Sequence, residues 1–331
     1  MAIAVSKKKN TWRRHAALAG YLFILPNVLG FLIFTSLPVL ASLVLSMCKW
    51  DLLTPPQWVG LENFRNLLAD TDFWKVPWNP PYEHGYLFNT LVLMMAIPVG
   101  ILMSLFLAVV LNQKLRGMVL YRTFFFIPSI TAGIGTMLLW MWLLNPEFGM
   151  INQALSHIYD GLAWAAGLAG WKWAAWGDVR PVWLQSEGWA KPALIFMGLW
   201  GSMGGINMIL YLAALQGVPP ELYEAAKMDG AGVWQRFWKI TWPMVSPTTF
   251  FIFVMGIIGG FQGGFQQAHI MTEGGGPAGS TTTIGFYIYQ NAYQWFKMGY
   301  AASIAWFLFL IVLALTMFNW RISQKLVHYG G

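Results

Sequence analysis

This chain predicts an all-α polytopic membrane protein with six transmembrane helices, and three observations lead there. Hydrophobic residues make up 57% of it and charged residues only 10%, far below the roughly 25% charged of a globular domain. Six apolar runs come close to or exceed the ~20 residues that cross a bilayer. Between the fourth and fifth sits one polar, patterned stretch, ELYEAAKMDGAGVWQRFWKITWPMVSP. A water-soluble domain of 331 residues could not hide this much apolar surface.

The six predicted spans are Leu18–Met47, Tyr86–Leu111, Leu120–Leu144, Pro192–Leu215, Met244–Gln267 and Tyr300–Trp320. The first follows a basic cluster, Lys7–Arg14, as a secretory signal would. Its length far exceeds the roughly 7–15 residues of a signal's apolar core and no clean cleavage site follows, so it reads as a span. The formal net charge is +7, and its distribution argues for orientation rather than nucleic-acid binding. With the N-terminus inside, the internal segments hold Lys7, Lys8, Lys9, Arg13, Arg14, Lys114, Arg116, Arg122, Lys227, Arg236, Lys239, Arg321 and Lys325. The external ones hold Lys49, Arg65, Lys75, Lys172, Arg180, Lys191 and Lys297. Thirteen of the 20 basic residues are then internal, and the positive-inside bias puts both termini in the cytoplasm. The predicted layout is a cytoplasmic segment at 1–17, a transmembrane domain at 18–320 and a cytoplasmic tail at 321–331. Cys48 is the only cysteine, so no internal disulfide can form.

Two external segments are long. Lys49–Gly85 contains WVGLENFRNLL, whose Leu61, Phe64, Leu67 and Leu68 recur at helical spacing and predict an amphipathic helix at the interface. The loop at 145–191 holds Trp164, Trp171, Trp173, Trp176, Trp183 and Trp189, a density that suits either interfacial anchoring or a docking surface. A third loop, His269–Gly299, carries the turn-rich TEGGGPAGST and no catalytic spacing.

The polar stretch lies in a loop at 217–243. Gly217 closes the fourth span and Pro219–Pro220 start a new helix. That helix covers Glu221–Asp229 and breaks at Gly230. A second, about Val233–Ile240, places Val233, Phe237 and Ile240 on one face and ends at Pro243. Small side chains at Ala225 and Ala226 permit close approach to another protein, Glu224, Lys227 and Asp229 supply register, and Gly230 permits a sharp reversal. The same composition also fits a plain amphipathic connector at the membrane surface.

Glu224-Ala225-Ala226, Gly230, Ile240 and Pro243 stand at fixed offsets that resemble the signature of ATP-binding-cassette importer permeases: E-A-A, three residues, G, nine residues, I, one residue, L-P. Asp229-Gly230-Ala231 also matches, and Trp242 stands where the pattern has Leu. Further stretches are similar to the sugar-type permeases, the group resembling the first permease subunit of the maltose, lactose and glycerol-phosphate systems. They are Trp58–Phe64, Asn145-Pro146 with Gly149 and Ile151-Asn152, Met271–Pro277 and Met298–Ala302. The Trp-rich segment around Gly161–Trp189 is longer than usual for that group. The resemblance implies a bacterial inner-membrane subunit that joins a second, different permease chain, two cytoplasmic ATPase subunits and an extracytoplasmic solute-binding protein. It also implies that Glu224, Ala225, Ala226, Asp229, Gly230, Ile240 and Pro243 couple the chain to the ATPase.

The chain has no G-x-x-x-x-G-K-[ST], so ATP must be bound by a partner and no cofactor is expected here. None of the predicted spans contains a carboxylate, Lys or His, which argues against proton coupling and against a charged solute neutralised by this subunit. Amides at Asn27, Asn89, Asn207, Gln262, Gln266 and Gln267 suit hydroxyl-rich solutes. Asn207, Gln262 and Gln266 are the candidates for the substrate path. The glycines Gly204, Gly205, Gly259, Gly260, Gly263 and Gly264 fit helix packing better than a path. The five histidines are scattered, with no metal spacing or nucleophile arrangement, so an enzyme is not expected. The expectation is a permease subunit for a sugar or polyol-type solute. The alternative is an ATP-independent channel or facilitator for a small neutral solute.

Overall fold

The computed structural model describes residues 2–76, 85–113, 116–131, 133–168, 170 and 181–326. Lys114, Trp171, Lys172, Trp173, Trp176 and Arg180, named above, lie outside the described residues, as does the chain beyond Leu326. The chain separates into two compact units: residues up to Leu68 with Asn291–Trp306, and Ala69–Gln290 with the chain from Phe307 onward.

In the first unit, helix α1 runs from Ala2 to Ser46, and its apolar part is Ala17–Ser46. A π turn at Leu32–Ser36 widens the ladder just ahead of Pro38, which has no N–H to give. Two short strands follow, β1 (Cys48–Lys49) and β2 (Gln57–Trp58), paired antiparallel with Cys48 opposite Trp58. Helix α2 (Glu62–Ala69) forms where the sequence predicts it, but with a different inner face. It buries Asn63 and Leu67 and leaves Leu61 and Leu68 exposed. The cause is polar. Asn63 Nδ2 donates to the carbonyls of Ser46, at the end of α1, and Cys48, in β1, both at 2.9 Å, and so satisfies a carbonyl left open where the helix stops.

The second unit contains α3 (Thr71–Trp74), α4 (Tyr86–Leu111), α5 (Met118–Ser129), α6 (Gly133–Leu143), α7 (Met150–Leu168), α8 (Glu187–Met203) and α9 (Gly205–Gln216). It continues with α10 (Pro220–Met228), α11 (Val233–Gln262) and α12 (Ile284–Tyr289). Helix α13 (Met298–Leu326) belongs to it from Phe307 on. Among the described residues, five helical stretches are long and apolar enough to cross a membrane: Ala17–Ser46, Tyr86–Leu111, Glu187–Gln216, Val233–Gln262 and Met298–Arg321. Helices α5 and α6, bent by 94°, make six if they count as one span.

Three boundaries differ from the sequence expectation. Pro243 ends nothing, because α11 runs through it from Val233. A π turn at Phe237–Thr241, closed by Trp242 N–H on the Phe237 carbonyl, again precedes the proline and absorbs its missing donor. The fourth span begins at Glu187, so Lys191 is a helical residue rather than a loop one. It is buried, with Nζ 5.2 Å from the Phe88 ring centre. The fifth span stops at Gln262, because Gly263 is extended and Gly264 has φ +83°. Gln266 and Gln267 thus fall on the turn that follows.

Apolar packing centres on α4, α9 and α11, where Ile101, Leu105 and Ala108 meet Met208, Tyr211, Leu212, Val245 and Ile252. In lipid such packing depends on close van der Waals fit and interhelical hydrogen bonds. Close approach explains several glycines. A Cβ on Gly260 would lie 2.8 Å from Met94 and Ile97, and one on Gly204 would strike the backbone carbonyl of Phe125. The helix breaks at Gly204, with Gly205 at φ +65°. The Ser104 hydroxyl donates to the Ser202 and Met203 carbonyls beside that break, as a spanning helix with an interrupted ladder requires.

Candidate functional site

Helix α10 starts at Pro220, whose fixed φ and missing N–H cost nothing at the first helical position. It stops at Gly230, which has φ +77°. Ala231 N–H reaches the Ala226 carbonyl at 2.8 Å and Gly230 N–H reaches Lys227 at 3.0 Å. Together these bonds form a Schellman closure with glycine at the left-handed position. Gly232 N–H then donates to the Gln235 side chain at 3.0 Å as α11 begins. The result is a helix, a tight reversal and a second helix, continuous with α9 on one side and α11 on the other.

Glu224, Ala225, Asp229 and Gly230 are exposed on α10 and its turn, and Ala226 is half-buried beside them. Ile240 and Pro243 are half-buried and sit apart from these five, on the first turns of α11. Among the described residues the ion pair found is Lys75–Asp72, so Glu224, Lys227 and Asp229 are not paired with one another. Exposed apolar side chains flank the turn: Met228 (89% exposed), Val233 (73%) and Trp234 (75%). Apolar groups grouped around unpaired charges on a rigid turn suit a protein partner.

Two hydroxyl pairs here carry no signal in the sequence. The Tyr223 and Thr241 hydroxyls share a hydrogen bond of 2.9 Å, which ties α10 to the π turn of α11. One level deeper, the Tyr211 hydroxyl donates to Thr249 Oγ1 at 3.0 Å, tying α9 to α11.

Of the candidate path residues, Asn207 is half-buried and Gln262 and Gln266 are exposed on this chain. A cavity of about 250 Å³ opens where the fifth span breaks. Gly259, Gly263, Gly264, Gln267, Ser202 and Thr283 are among its lining. A larger cavity, about 460 Å³, lies between the end of α6, the residues just before α8, and the segment Met271–Pro277. Neither is lined by Asn207, Gln262 or Gln266.

Asn89 belongs to neither cavity. It is fully buried, and its Nδ2 donates to the carbonyls of Gly279 and Thr282, both at 2.9 Å, so its work is structural. The segment it holds is knotted by hydroxyls. Thr272 and Thr281 share a 2.6 Å bond, and Ile284 N–H donates to Thr90 at 3.0 Å. In the Trp-rich loop, buried Asn152 bridges the carbonyls of Pro146 and Pro181 while its Oδ1 accepts from Trp183 Nε1 at 2.8 Å. Trp183 and Trp189 stack edge to face at 5.2 Å, and Trp164 is exposed on α7.

Comparison with known proteins agrees with this architecture. The family model for the binding-protein-dependent transport system inner membrane component matches residues 93–327. The probable ABC transporter permease protein YesP of Bacillus subtilis is 35% identical over 98% of this chain and 97% of its own. The lactose transport system permease protein LacF of Rhizobium radiobacter is 32% identical over 96% of this chain and 98% of its own. In fold, the chain is similar to a subunit of a bacterial ABC transporter that imports the acidic polysaccharide alginate. The TM-score is 0.76 at 24% identity, covering 96% of this chain and all of the other. With so much of its length matched, the chain belongs to the inner-membrane components of binding-protein-dependent transport systems, as a permease subunit of an ABC importer.

Proposed function

We propose that this permease subunit imports a sugar or polyol-type solute, and that the elbow formed by α10, the Gly230 turn and the start of α11 receives the ATPase. As an ABC importer permease it pairs with a second permease, an ATPase and a solute-binding protein. The observation that carries the elbow's role is its construction. Exposed Glu224, Ala225 and Asp229 ride on a helix closed by Gly230 and bonded through Tyr223 to the span that follows. A partner's rigid-body motion applied there is passed to α9 and α11 rather than absorbed by a loose loop.

In this reading Glu224 and Asp229 set register, Ala225 and Ala226 allow close contact and Gly230 makes the turn. Ile240 and Pro243 shape the first turns of α11. ATP is bound by the partner, since this chain has no phosphate-binding loop. The basic residues put the elbow and both termini in the cytoplasm, with segments 1–17 and 321–331 on that side of the transmembrane domain 18–320 and the Trp-rich loop 145–191 outside. Asn207, Gln262 and Gln266 line a path shared with the second permease, which the exposure of Gln262 and Gln266 and the half-burial of Asn207 suit. The sugar reading follows from LacF, a relative named for lactose transport.

The test is Ala225→Phe in the complete transporter, reconstituted in liposomes. Ala225 is exposed, so its own chain tolerates the ring and only a docked partner meets it. ATP-driven uptake should be lost while insertion and folding are retained. Unaltered uptake would remove the docking role.

A further inference from the structure

The 460 Å³ cavity and the elbow lie at opposite ends of the same spans. Val182 and Gln185 precede α8 and Met271–Pro277 follow the end of α11, whereas the elbow joins the end of α9 to the start of α11. The cavity's volume is within the range of small-molecule sites, about 300–1,000 Å³. Its polar lining is Asn145, Gln185, Thr272 and Glu273, set against apolar walls that include Met141 and Leu184.

The hydrogen bonds already made limit what each polar group can offer. Asn145 Oδ1 accepts from the N–H groups of Glu147 and Phe148, which leaves its amide nitrogen as a donor. The Thr272 hydroxyl bonds Ala268 and Thr281 within the knot below. Gln185 can donate and accept, and Glu273 can only accept when ionised. Glu273 also holds φ +50°, a backbone state that favours glycine, next to three glycines in the left-handed region. A side chain kept at a strained position points to a use for it.

We infer that this cavity is a first binding station for one ring of an uncharged saccharide on the side away from the elbow, with Glu273 accepting from its hydroxyls and repelling anionic sugars. Hydroxyls both donate and accept, so they match the mixed set of Asn145, Gln185 and Glu273. The apolar walls take the ring's C–H face. Among the described residues no basic side chain lines the cavity, so a uronate or a sugar phosphate would meet the Glu273 carboxylate there. The inference rests on the permease reading and narrows its solute to neutral sugars.

The experiment is cysteine protection on the full-length chain in lipid nanodiscs, without ATP or partners. Cys48 is buried and gives the baseline. Val182→Cys places a thiol at the exposed rim of the cavity, and Trp164→Cys, on exposed α7, is the control outside it. Maleimide labelling is timed with glucose, galactose, rhamnose and lactose as neutral probes and with glucuronate and galacturonate as charged ones. At least one neutral probe should slow labelling at position 182 about threefold or more, the uronates should not, and the control should not change. Adding Glu273→Gln should bring the uronates toward the neutral probes. Absence of protection by every neutral probe, equal protection of the control, or discrimination unchanged in Glu273→Gln would each overturn the inference. ATP-driven uptake by the complete transporter tests the permease reading independently, so the two can fail separately.

Discussion

The Tyr223 and Thr241 hydroxyls meet at 2.9 Å across 18 residues of chain and fasten the short elbow helix to the π turn that begins α11. Thr241 is buried and Tyr223 half-buried, so the bond is partly withdrawn from water. A hydrogen bond of this kind contributes about 0.5–1.5 kcal/mol net. Tyr223→Phe should leave the elbow in place but loosen it. Solute moved per ATP hydrolysed should fall, while ATPase binding stays near wild type. Thr241→Val should act alike, and the double variant should be little worse than either single one. Additive losses in a reconstituted uptake assay would mean that the two hydroxyls act separately.

Gly230 separates two costs. No atom lies within 4 Å of a Cβ built there, so Gly230→Ala meets only the left-handed backbone penalty. That penalty is about 1–2 kcal/mol for an L-residue. Gly230→Pro also removes the N–H bonded to Lys227 and demands a φ of the opposite sign. Alanine should lower coupled uptake modestly and proline should abolish it. Both should reach the membrane in equal amounts by immunoblot.

Asn89 clamps a segment more than 180 residues away in sequence through two carbonyls, those of Gly279 and Thr282. Asn89→Ala takes the side-chain donor from the buried Thr282 carbonyl, while the Gly279 carbonyl keeps the Thr282 N–H at 3.1 Å; one unsatisfied buried group costs about 1–3 kcal/mol. The detergent-purified variant should melt several degrees below wild type, and limited proteolysis should cut first within 272–283. An unchanged melting curve would show the knot of hydroxyls to be sufficient alone.

Apolar run length carried the spans, because crossing a bilayer demands length and composition that no other fold reproduces. The elbow helices were legible from Pro219–Pro220 and Gly230, residues whose backbone preferences act locally. Local rules failed at Pro243, since a π turn upstream supplies the slack that lets a proline sit inside a helix. They failed also on α2, where the predicted face of Leu61, Phe64, Leu67 and Leu68 is displaced by Asn63, whose partners are the Ser46 carbonyl at the end of α1 and the Cys48 carbonyl of β1. Tyr223–Thr241 and Asn89–Gly279 are invisible for the same reason: each is a distance between segments, and no composition or spacing encodes it.

The glycines of the fourth and fifth spans offered two readings, packing or path, and the structure divides them residue by residue. A Cβ on Gly204 would run into the Phe125 carbonyl, a backbone atom that cannot step aside. Gly204→Ala is therefore an overpacking change, with a cost of about 1–3 kcal/mol. It should lower the melting temperature and the yield of folded protein, with transport falling in proportion. Gly259 is different: it lines the 250 Å³ cavity, and nothing lies within 4 Å of a Cβ built there. Gly259→Ala should leave thermal stability within error and, in a helix interior, gain slightly from alanine's better propensity. If solute passes that cavity, the added methyl narrows it and uptake should drop at unchanged stability. Loss of stability in Gly259→Ala, or full transport in Gly204→Ala, would reverse the assignment of packing to one glycine and path to the other.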